Sequence, residues 1–342
     1  MYSQGMILAL APMKDITDLA FIKTLNDLNT LPDYFITEYF RTVPHHKKLD
    51  PYILQSITKN PTNKPVWGQL VGTDAPSLVR DALKLLQNGA AGVDLNMGCP
   101  APLVCRKNAG GGMLRTLHEM DQVLGQLRDA LPEGKFSVKC RIGFEYPEEF
   151  ERIIPIIAKH TPDRLCIHAR TVKEGYRSSV HPKWVAFAKT IYSGEIIANG
   201  NIVDTETAQS WINIAQPHGL MIGRAALRNP WIFNQIREMI SGEKITSHKL
   251  SDLLIYIERL LENIKPLQDP LIEEKLIHRI KKYLVYTVRG LDPQLDYYMK
   301  RSKTEKDFLN VCKEFLNNDE DFPILPPEDT HLFAHFGSLL CD

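Results

Sequence analysis

Short apolar runs rich in strand-forming residues recur along the first two thirds of the chain, and an amphipathic stretch with helical spacing follows each of them. Strands that alternate with helices predict an α/β fold with a parallel sheet. Eight units in about 240 residues match a (β/α)8 TIM barrel, whereas a doubly wound open sheet usually stops at five or six strands. The eight runs are MILALAPM, YFITEYF, PVWGQLVG, AGVDLNMG, FSVKCRIG, RLCIHAR, EIIANGNI and GLMIGRA.

The pattern changes after the eighth unit. The stretch SGEKITSHK, residues 241–249, is polar and predicts a linker. Beyond it the apolar spacing is helical, as in SDLLIYIERLLENI and EEKLIHRIKKYLVYTV, and no strand-like run appears. We therefore predict two domains: a barrel over residues 1–243 and a small all-helical domain over residues 244–342.

Composition narrows the class of protein. The 342 residues are 44% apolar and 24% charged, as in ordinary soluble globular proteins. No apolar run approaches the roughly 20 residues that span a bilayer, and the first residues lack the basic flank of a signal peptide. We expect a cytoplasmic monomer with no membrane partner. The cysteines show no C-x-x-C pair and no spaced histidines, which indicates free thiols and no metal site. They are Cys99, Cys105, Cys140, Cys166, Cys312 and Cys341.

Polar residues alternate along two predicted strands that should be almost continuously aliphatic if both faces were buried in apolar surroundings. One face of the fifth strand carries Ser137, Lys139 and Arg141, and one face of the sixth carries Arg164, Cys166, His168 and Arg170. Any one of them could face solvent or pair with a carboxylate, but burying several unpaired charges would cost several kcal/mol each. Because ligand-binding groups gather at the carboxyl ends of barrel strands, the pattern predicts a polar site there.

The last two strands predict an anion site. They end in ANGN (residues 198–201) and IGRA (residues 222–225), and the loops after these strands of a barrel commonly bind phosphate. Gly200 and Gly223 would let backbone N–H groups approach the anion, and Arg224 would add charge. Either motif alone is weak, since NG is also an ordinary turn.

A flat ring across the barrel mouth would complete this site. Pro12 and Met13 follow the first strand and could contact such a ring, while Gln69 on the third strand offers an amide to its polar edge. Lys139 would stabilise the negative charge that the ring acquires on reduction. A phosphate-bearing ring of this kind is flavin mononucleotide, FMN.

At this point the motifs match a known family. The segments APM…TD, DLNMGCP, VKCRIG, HART, ANGNI and MIGRAALRNPWIF resemble, in order and spacing, those of the FMN-dependent tRNA-dihydrouridine synthases. The resemblance covers about residues 7–235 and continues into the helical region at HRIKKYLVYTV. The segments KEGYRSSVHPKW and RIKKYL look most similar to the C-type bacterial subfamily, which suggests a D-loop uridine at position 16.

The resemblance implies that NADPH, or NADH, reduces FMN, which then gives a hydride to C6 of a uridine in tRNA. Cys99, in the family's GCP motif, would donate the proton that C5 needs, since a thiol is protonated at neutral pH. Cys105 is the alternative donor, but it does not follow the strand directly. We expect the glycines at 110–112 to leave room for the RNA backbone or the flavin.

The same resemblance assigns further residues. Asn96 would orient the uracil, and His168 and Lys139 would contact FMN. Lys14 is a further expected contact to the cofactor. Glu38, Arg141 and Arg170 are expected contacts to the substrate. The phosphate of FMN would be held by Asn199, Gly200, Asn201, Gly223 and Arg224. The chain departs from the family in carrying Pro102 where many members have a lysine, Lys14 and Asp15 after APM, and HART for HGRT.

Charge is balanced overall, with 41 basic and 41 acidic residues, so any RNA surface must come from local segregation. Residues 275–306 contain nine Lys or Arg and three acids, whereas residues 307–342 contain one lysine and eight acids. We predict that Arg279, Lys281 and Lys282 contact tRNA phosphates. A solvated helix face is the alternative interpretation of this basic block.

Two other functions fit parts of the sequence. A flavin barrel similar to dihydroorotate dehydrogenases, acting on a free pyrimidine, would share the phosphate loops but would not need a basic helical region. A catalytically silent RNA-binding or chaperone protein would share the fold, but it would have no need to retain Cys99, Asn96, Lys139 and His168 together.

Overall fold

The computed structural model describes residues 5–45, 48–267, 273–327, 333, 335 and 339. Cys341, predicted to be a free thiol, lies outside these residues. Eight parallel strands follow one another around a closed barrel, and the first pairs with the last, so the predicted (β/α)8 barrel is confirmed. The strands are β1 (Ile7–Leu10), β2 (Tyr34–Arg41), β3 (Val66–Val71), β4 (Val93–Met97), β5 (Phe136–Arg141), β6 (Arg164–His168), β7 (Glu195–Asn199) and β8 (Gly219–Ile222).

Alternation along the strands separates two environments. Val138 and Cys140 on β5, and Leu165 and Ile167 on β6, belong to the main core cluster and are fully buried. Their neighbours along each strand point to the barrel interior, where Lys139 of β5 stands in register with Asn96 of β4. The polar faces predicted for these two strands therefore face inward.

Helices surround the barrel, and several begin at a side chain that accepts a backbone N–H. Asp18, Asp74 and Asp204 cap the helices that follow β1, β3 and β7 in this way, as expected for a helix N-cap. The helices of the barrel region are α1 (Leu19–Asp27), α2 (Pro51–Thr58), α3 (Ala75–Gln87), α4 (Pro102–Cys105), α5 (Leu117–Ala130), α6 (Phe150–Lys159), α7 (Pro182–Ala188), α8 (Thr205–Ala215), α9 (Arg224–Arg228) and α10 (Ile232–Ser241).

The rest of the described chain is helical, as predicted. Its helices are α11 (Leu250–Ile264), α12 (Glu273–Thr287), α13 (Pro293–Arg301) and α14 (Glu305–Leu316). They share one continuous apolar core with the barrel, and α1 packs on α11 while α9 packs on α12. The division at residue 243 stays a prediction. Over the described ranges, no helix is long and apolar enough to cross a membrane.

Arg228 joins the two regions. This fully buried arginine of α9 donates to five backbone carbonyls of the helical region. Nε bonds Ile324 at 2.6 Å and Nη2 bonds Pro323 at 2.8 Å, while Nη1 approaches the carbonyls of Arg289 at 2.9 Å, Thr287 at 3.2 Å and Tyr286 at 3.4 Å. Because a guanidinium has five donors in a planar fork, one side chain can satisfy all of these acceptors.

Candidate active site at the carboxyl end of the barrel

A cavity of about 590 Å³ opens at the carboxyl ends of the strands. It gathers residues from nearly every βα loop, as the sequence predicted for a polar site. The predicted residues that line it are Pro12, Met13, Lys14, Glu38, Asn96, Cys99, Lys139, Arg141, His168, Arg170, Asn199, Gly200, Asn201, Gly223 and Arg224.

Cys99 lies on the loop after β4, which the Asn96 side chain holds. Asn96 Oδ1 accepts the backbone N–H of Gly98 at 3.0 Å and that of Cys99 at 2.9 Å. Cys99 is partly exposed at the cavity wall, whereas Cys105 is buried and its Sγ donates to the Cys99 carbonyl at 3.3 Å. Burial also raises the pKa of the Cys105 thiol. The geometry therefore gives a ligand access to Cys99 and not to Cys105.

The glycines at 110–112 serve this loop rather than a ligand. The Gly111 N–H donates to the Cys99 carbonyl at 3.0 Å. A Cβ at Gly111 would lie 2.5 Å from Val172 Cγ2, and one at Gly112 would lie 2.6 Å from the Cys105 carbonyl oxygen. Such distances are shorter than real Cβ contacts allow. The expectation that these glycines leave room for RNA or flavin is wrong, because the space is filled by the chain itself.

Pro102, which replaces a lysine common in the family, is the first residue of α4. Proline suits that position because the missing N–H would have no partner in the helix. Its side chain borders the cavity, so the cation expected from the family is absent at this point of the wall.

Cations surround the cavity. Arg141 is almost fully buried and donates to the carbonyls of Gly98 at 2.9 Å, Thr171 at 2.7 Å and Gly175 at 2.8 Å, so it also fixes the Cys99 loop. Lys139 Nζ donates to Asn199 Oδ1 at 3.0 Å. Together with Arg170 and Arg224, these side chains make the cavity wall strongly electropositive.

His168 is neutral in this setting. Burial, followed by the charges of Arg141, Lys139, Arg170 and Arg224, holds its pKa well below the ordinary value. Its Nε2 lies 3.3 Å from Arg170 Nη1, and a guanidinium can only donate. Nε2 is therefore the acceptor, and the ring proton is on Nδ1.

The loops after β7 and β8 fit an anion. Gly200 has a φ of +128°, and Gly223 keeps the wall open, since a Cβ there would meet Ala11 Cβ and Met13 Sδ only at 3.5 and 3.7 Å. Arg170 Nη2 is buried and has no hydrogen-bond partner among the residues that the structure describes. Burial and the nearby Arg224 and Arg141 lower the pKa of Arg170 to about 9. A phosphate monoester would satisfy this donor and favour the charged form.

Aromatic residues of the wall were not predicted. Tyr176 lies under two guanidinium groups, with its ring centre 5.2 Å from Arg141 and 4.9 Å from Arg224, and 5.9 Å from the His168 ring. Tyr39, Tyr286 and Phe333 also border the cavity. Tyr176 follows a glycine in an irregular loop, so no periodicity in the sequence marks it.

Arg164 lies at the opposite end of the barrel from the site. It donates to Glu195 Oε2 at 2.8 and 2.7 Å and covers the rings of Tyr34 and Trp67. Its register partner Ser137 is near the start of β5. The inference that the sixth strand's charges gather at the carboxyl end is wrong for this residue, because alternation specifies a face and not a height along the strand.

Two of the basic residues predicted to contact RNA have internal partners. Arg279 Nη2 donates to Asp18 Oδ2 at 2.6 Å and to the Tyr52 hydroxyl at 3.0 Å, and its side chain is only 11% exposed. Lys281 Nζ donates to two carbonyls of the α13 end, and burial lowers its pKa. Lys282 is 41% exposed, with Nζ 4.0 Å from Asp15 Oδ2. A phosphate contact by Arg279 is therefore at odds with its buried ion pair.

Glu38 makes the stability of the protein sensitive to pH. Burial raises its pKa from 4.5 to about 7, opposed by the N–H of Asp15 that donates to Oε2 at 2.5 Å. The Glu38 carboxyl makes its full contribution to the free energy of unfolding below about pH 4.5, and this contribution is lost as pH rises through about 7. Glu38→Gln removes this penalty, so at pH 8 we expect the free energy of unfolding to rise by about 3 kcal/mol and the melting temperature by about 4 °C. At pH 4.5 we expect no change in melting temperature.

Thermal unfolding from pH 4.5 to 8 would measure this difference. Glu133→Gln, at an exposed position, is the matched control and should follow the wild type at every pH. A constant offset between Glu38→Gln and the wild type across the range would contradict the prediction.

Comparison with known proteins finds relatives that are similar in sequence over most of the chain. A family model described as "Dihydrouridine synthase (Dus)" matches residues 9–320. A protein of Vibrio cholerae named tRNA-dihydrouridine(16) synthase is 32% identical over 255 residues, which cover 72% of this chain and 77% of the relative. A protein of Aquifex aeolicus named probable tRNA-dihydrouridine synthase is 28% identical over 315 residues, covering 91% of this chain and 94% of the relative.

Solved structures agree on the fold. One described as "Crystal structure of TcOYE with pHBA" aligns with a TM-score of 0.50 at 12% identity, over 70% of this chain and 90% of that chain. At this identity the similarity concerns architecture alone. It supports the barrel independently of the sequence motifs.

Proposed function

The chain belongs to the dihydrouridine synthase family, and from this premise we propose that it reduces a uridine of tRNA to 5,6-dihydrouridine, with FMN as its flavin and NADPH as the electron donor. Several similar relatives are named for position 16. Uridine 16 of the D-loop is therefore the proposed target. The cytoplasmic location and the monomeric state expected from the sequence belong to the same proposal.

The observation that carries the proposal is a cavity wall of cationic side chains next to an accessible thiol. Lys139, Arg170 and Arg224 border the same cavity as Cys99. The unpartnered Arg170 Nη2, among the described residues, and the open wall at Gly223 suit the phosphate of FMN. When bound, this cofactor would supply the hydride for C6 of the uracil.

The chain's own residues would handle the rest of the chemistry. Cys99 would donate its Sγ proton to C5 of the uracil, on a loop that Asn96 and Arg141 hold in place. One Nδ2 hydrogen of Asn96 is directed at Gln69, and the other would serve a carbonyl of the uracil. Lys139 would place positive charge where the reduced ring needs it.

The tRNA would be held largely by the exposed basic residues of the helical region. Arg279 has a buried ion pair and is left out of this surface, whereas Lys282 is partly exposed beside the cavity loop that carries Asp15. Phosphate contacts would position the RNA so that one flipped uridine reaches the cavity. The other proposed contacts, all exposed, are Lys275, Arg289, Lys300, Arg301, Lys303 and Lys306.

We expect the purified protein to be yellow and to release FMN on denaturation. Lys139→Ala should raise the dissociation constant for FMN by about tenfold or more, because a charged hydrogen bond is worth about 1.5–3 kcal/mol. Flavin fluorescence titration of the stripped protein would measure this. Lys159→Ala, which removes an exposed lysine from α6, is the control and should bind FMN as the wild type does. A folded, colourless protein that takes up no FMN would refute the flavin assignment.

Mapping dihydrouridine in tRNA from a strain that lacks the gene tests the substrate. Loss of the mark at position 16 alone, restored by the wild-type gene, is the expected result. An intact tRNA pattern, together with reduction or oxidation of a free pyrimidine by the pure enzyme, would favour the dihydroorotate-dehydrogenase alternative.

A further inference from the structure

A line of buried side chains runs beneath the cavity and ends at the Cys99 loop. Asp94 Oδ2 accepts Gln69 Nε2 at 2.7 Å, and Gln69 Oε1 accepts Asn96 Nδ2 at 2.8 Å. Asn96 Oδ1 then accepts the N–H groups of Gly98 and Cys99. We call Asp94, Gln69 and Asn96 the Asp94 network.

From this network we infer that Asp94 is a positioning residue: it orients Gln69 and, through it, Asn96, and thereby holds the loop that carries Cys99. Gln69 has no exposed surface in the structure, and its amide makes one hydrogen bond at each end within the network. The contact between Gln69 and the flavin stays a prediction. The part of this inference that concerns turnover rests on the proposed function.

The orientation of each amide follows from the two ends. A carboxylate can only accept and a backbone N–H can only donate. With Asp94 at one end and the Cys99 N–H at the other, Gln69 must donate toward Asp94 and Asn96 must turn its oxygen toward the loop. If either amide were turned the other way, its NH2 group would face a donor at one contact and its oxygen would face an acceptor at the other.

Asp94 itself is held as an acceptor. Ser137 Oγ donates to its Oδ1 at 2.6 Å, across the β4–β5 register in which the two residues face each other. Burial raises the pKa of Asp94 to about 6, which leaves it ionised at neutral pH, and the side-chain bonds from Ser137 and Gln69 oppose a larger rise. Buried polar networks of this kind rigidify a structure when every member is satisfied.

Removing the middle of the network tests the inference. In Gln69→Leu, Asn96 loses its partner, and we expect Cys99 to react with iodoacetamide about fivefold faster or more, because its loop opens more often. Peptide-resolved mass spectrometry separates Cys99 from the other cysteines. We also expect kcat to fall about 10²-fold with KM for tRNA little changed, since the thiol is displaced and the RNA surface is not.

Matched variants separate positioning from general loss of stability. Gln235→Leu removes a comparable buried amide, bonded to Asn229 at 2.7 Å and to the Thr246 carbonyl at 2.9 Å, away from the cavity. It should lower the melting temperature without changing Cys99 alkylation. Asp94→Asn keeps an acceptor for Gln69, so its rate of Cys99 alkylation and its kcat should stay near the wild-type values.

If Gln69→Leu does not fold, Gln69→Met replaces it, since it fills a similar volume but has neither the donor to Asp94 nor the acceptor for Asn96. Alkylation and kcat within twofold of the Gln235→Leu control, at equal loss of melting temperature, would overturn the inference. Alkylation needs no substrate, so a failure of the proposed function would show instead as a wild-type enzyme that forms no dihydrouridine.

Discussion

Cys99→Ala should lower dihydrouridine formation in tRNA by a factor of about 10² to 10⁴, the usual contribution of a positioned general acid. The flavin should still be reduced by NADPH at nearly the wild-type rate, because that step does not need a proton at C5 of the uracil. Stopped-flow absorbance of the flavin would follow the first step, and mass analysis of digested tRNA would follow the second.

Cys105→Ala is the control that the structure supplies. Its thiol is buried against the Cys99 carbonyl, so removing it should cost a little stability and leave turnover within a few fold. The opposite ranking of the two variants would assign the proton to Cys105. If Cys99→Ala lost flavin reduction as completely as dihydrouridine formation, the loop would support the flavin and not the proton transfer.

Arg228→Met should destabilise the protein by about 4 kcal/mol or more, because three short hydrogen bonds to a charged donor, each worth about 1.5 kcal/mol, are lost together. For a chain of this length the melting temperature should fall by about 6 °C. Arg228→Lys should recover only part of the loss, since one ammonium group cannot reach acceptors spread around a planar fork.

The control is Arg259→Met, which removes an exposed arginine from α11 and should change stability by less than about 0.5 kcal/mol. Limited trypsin digestion adds a second readout. Lys244 is exposed and Lys249 is partly exposed in the predicted linker, and loosening of the helices should raise the rate of cleavage at both because their backbone opens more often. Equal melting temperatures and equal cleavage in both variants would show that Arg228 does not join the two regions.

The barrel was predictable from the sequence because each strand produces its own apolar run. Period-two alternation also predicted that Lys139 and Arg141 share one face of their strand, and the structure places both on the cavity wall. Alternation does not predict how far along the barrel axis a residue lies. Arg164 and Gln69 both face the barrel interior, but Arg164 lies at the amino end of the strands and Gln69 lies below the cavity floor.

Contacts between distant segments were beyond the reach of sequence patterns. Arg279 stands in a basic stretch that indicated an RNA surface, but its carboxylate partner is Asp18, in a loop that follows the first strand. The three glycines from Gly110 indicated open space because glycine has no side chain. Only the packed structure shows that Val172 and the Cys99 loop occupy that space.

The pairing of the first strand with the last has a consequence for how the protein is made. Leu8 stands in register with Leu220, so the ribosome must add more than two hundred residues before β1 gains its second neighbour. At about 5–20 residues per second this takes roughly 10 to 40 s. During that time the nascent chain displays an unpaired strand edge, which invites association with other chains. Translation that stalls before β8 should therefore yield aggregation-prone fragments, and chaperone binding should end once β8 has emerged.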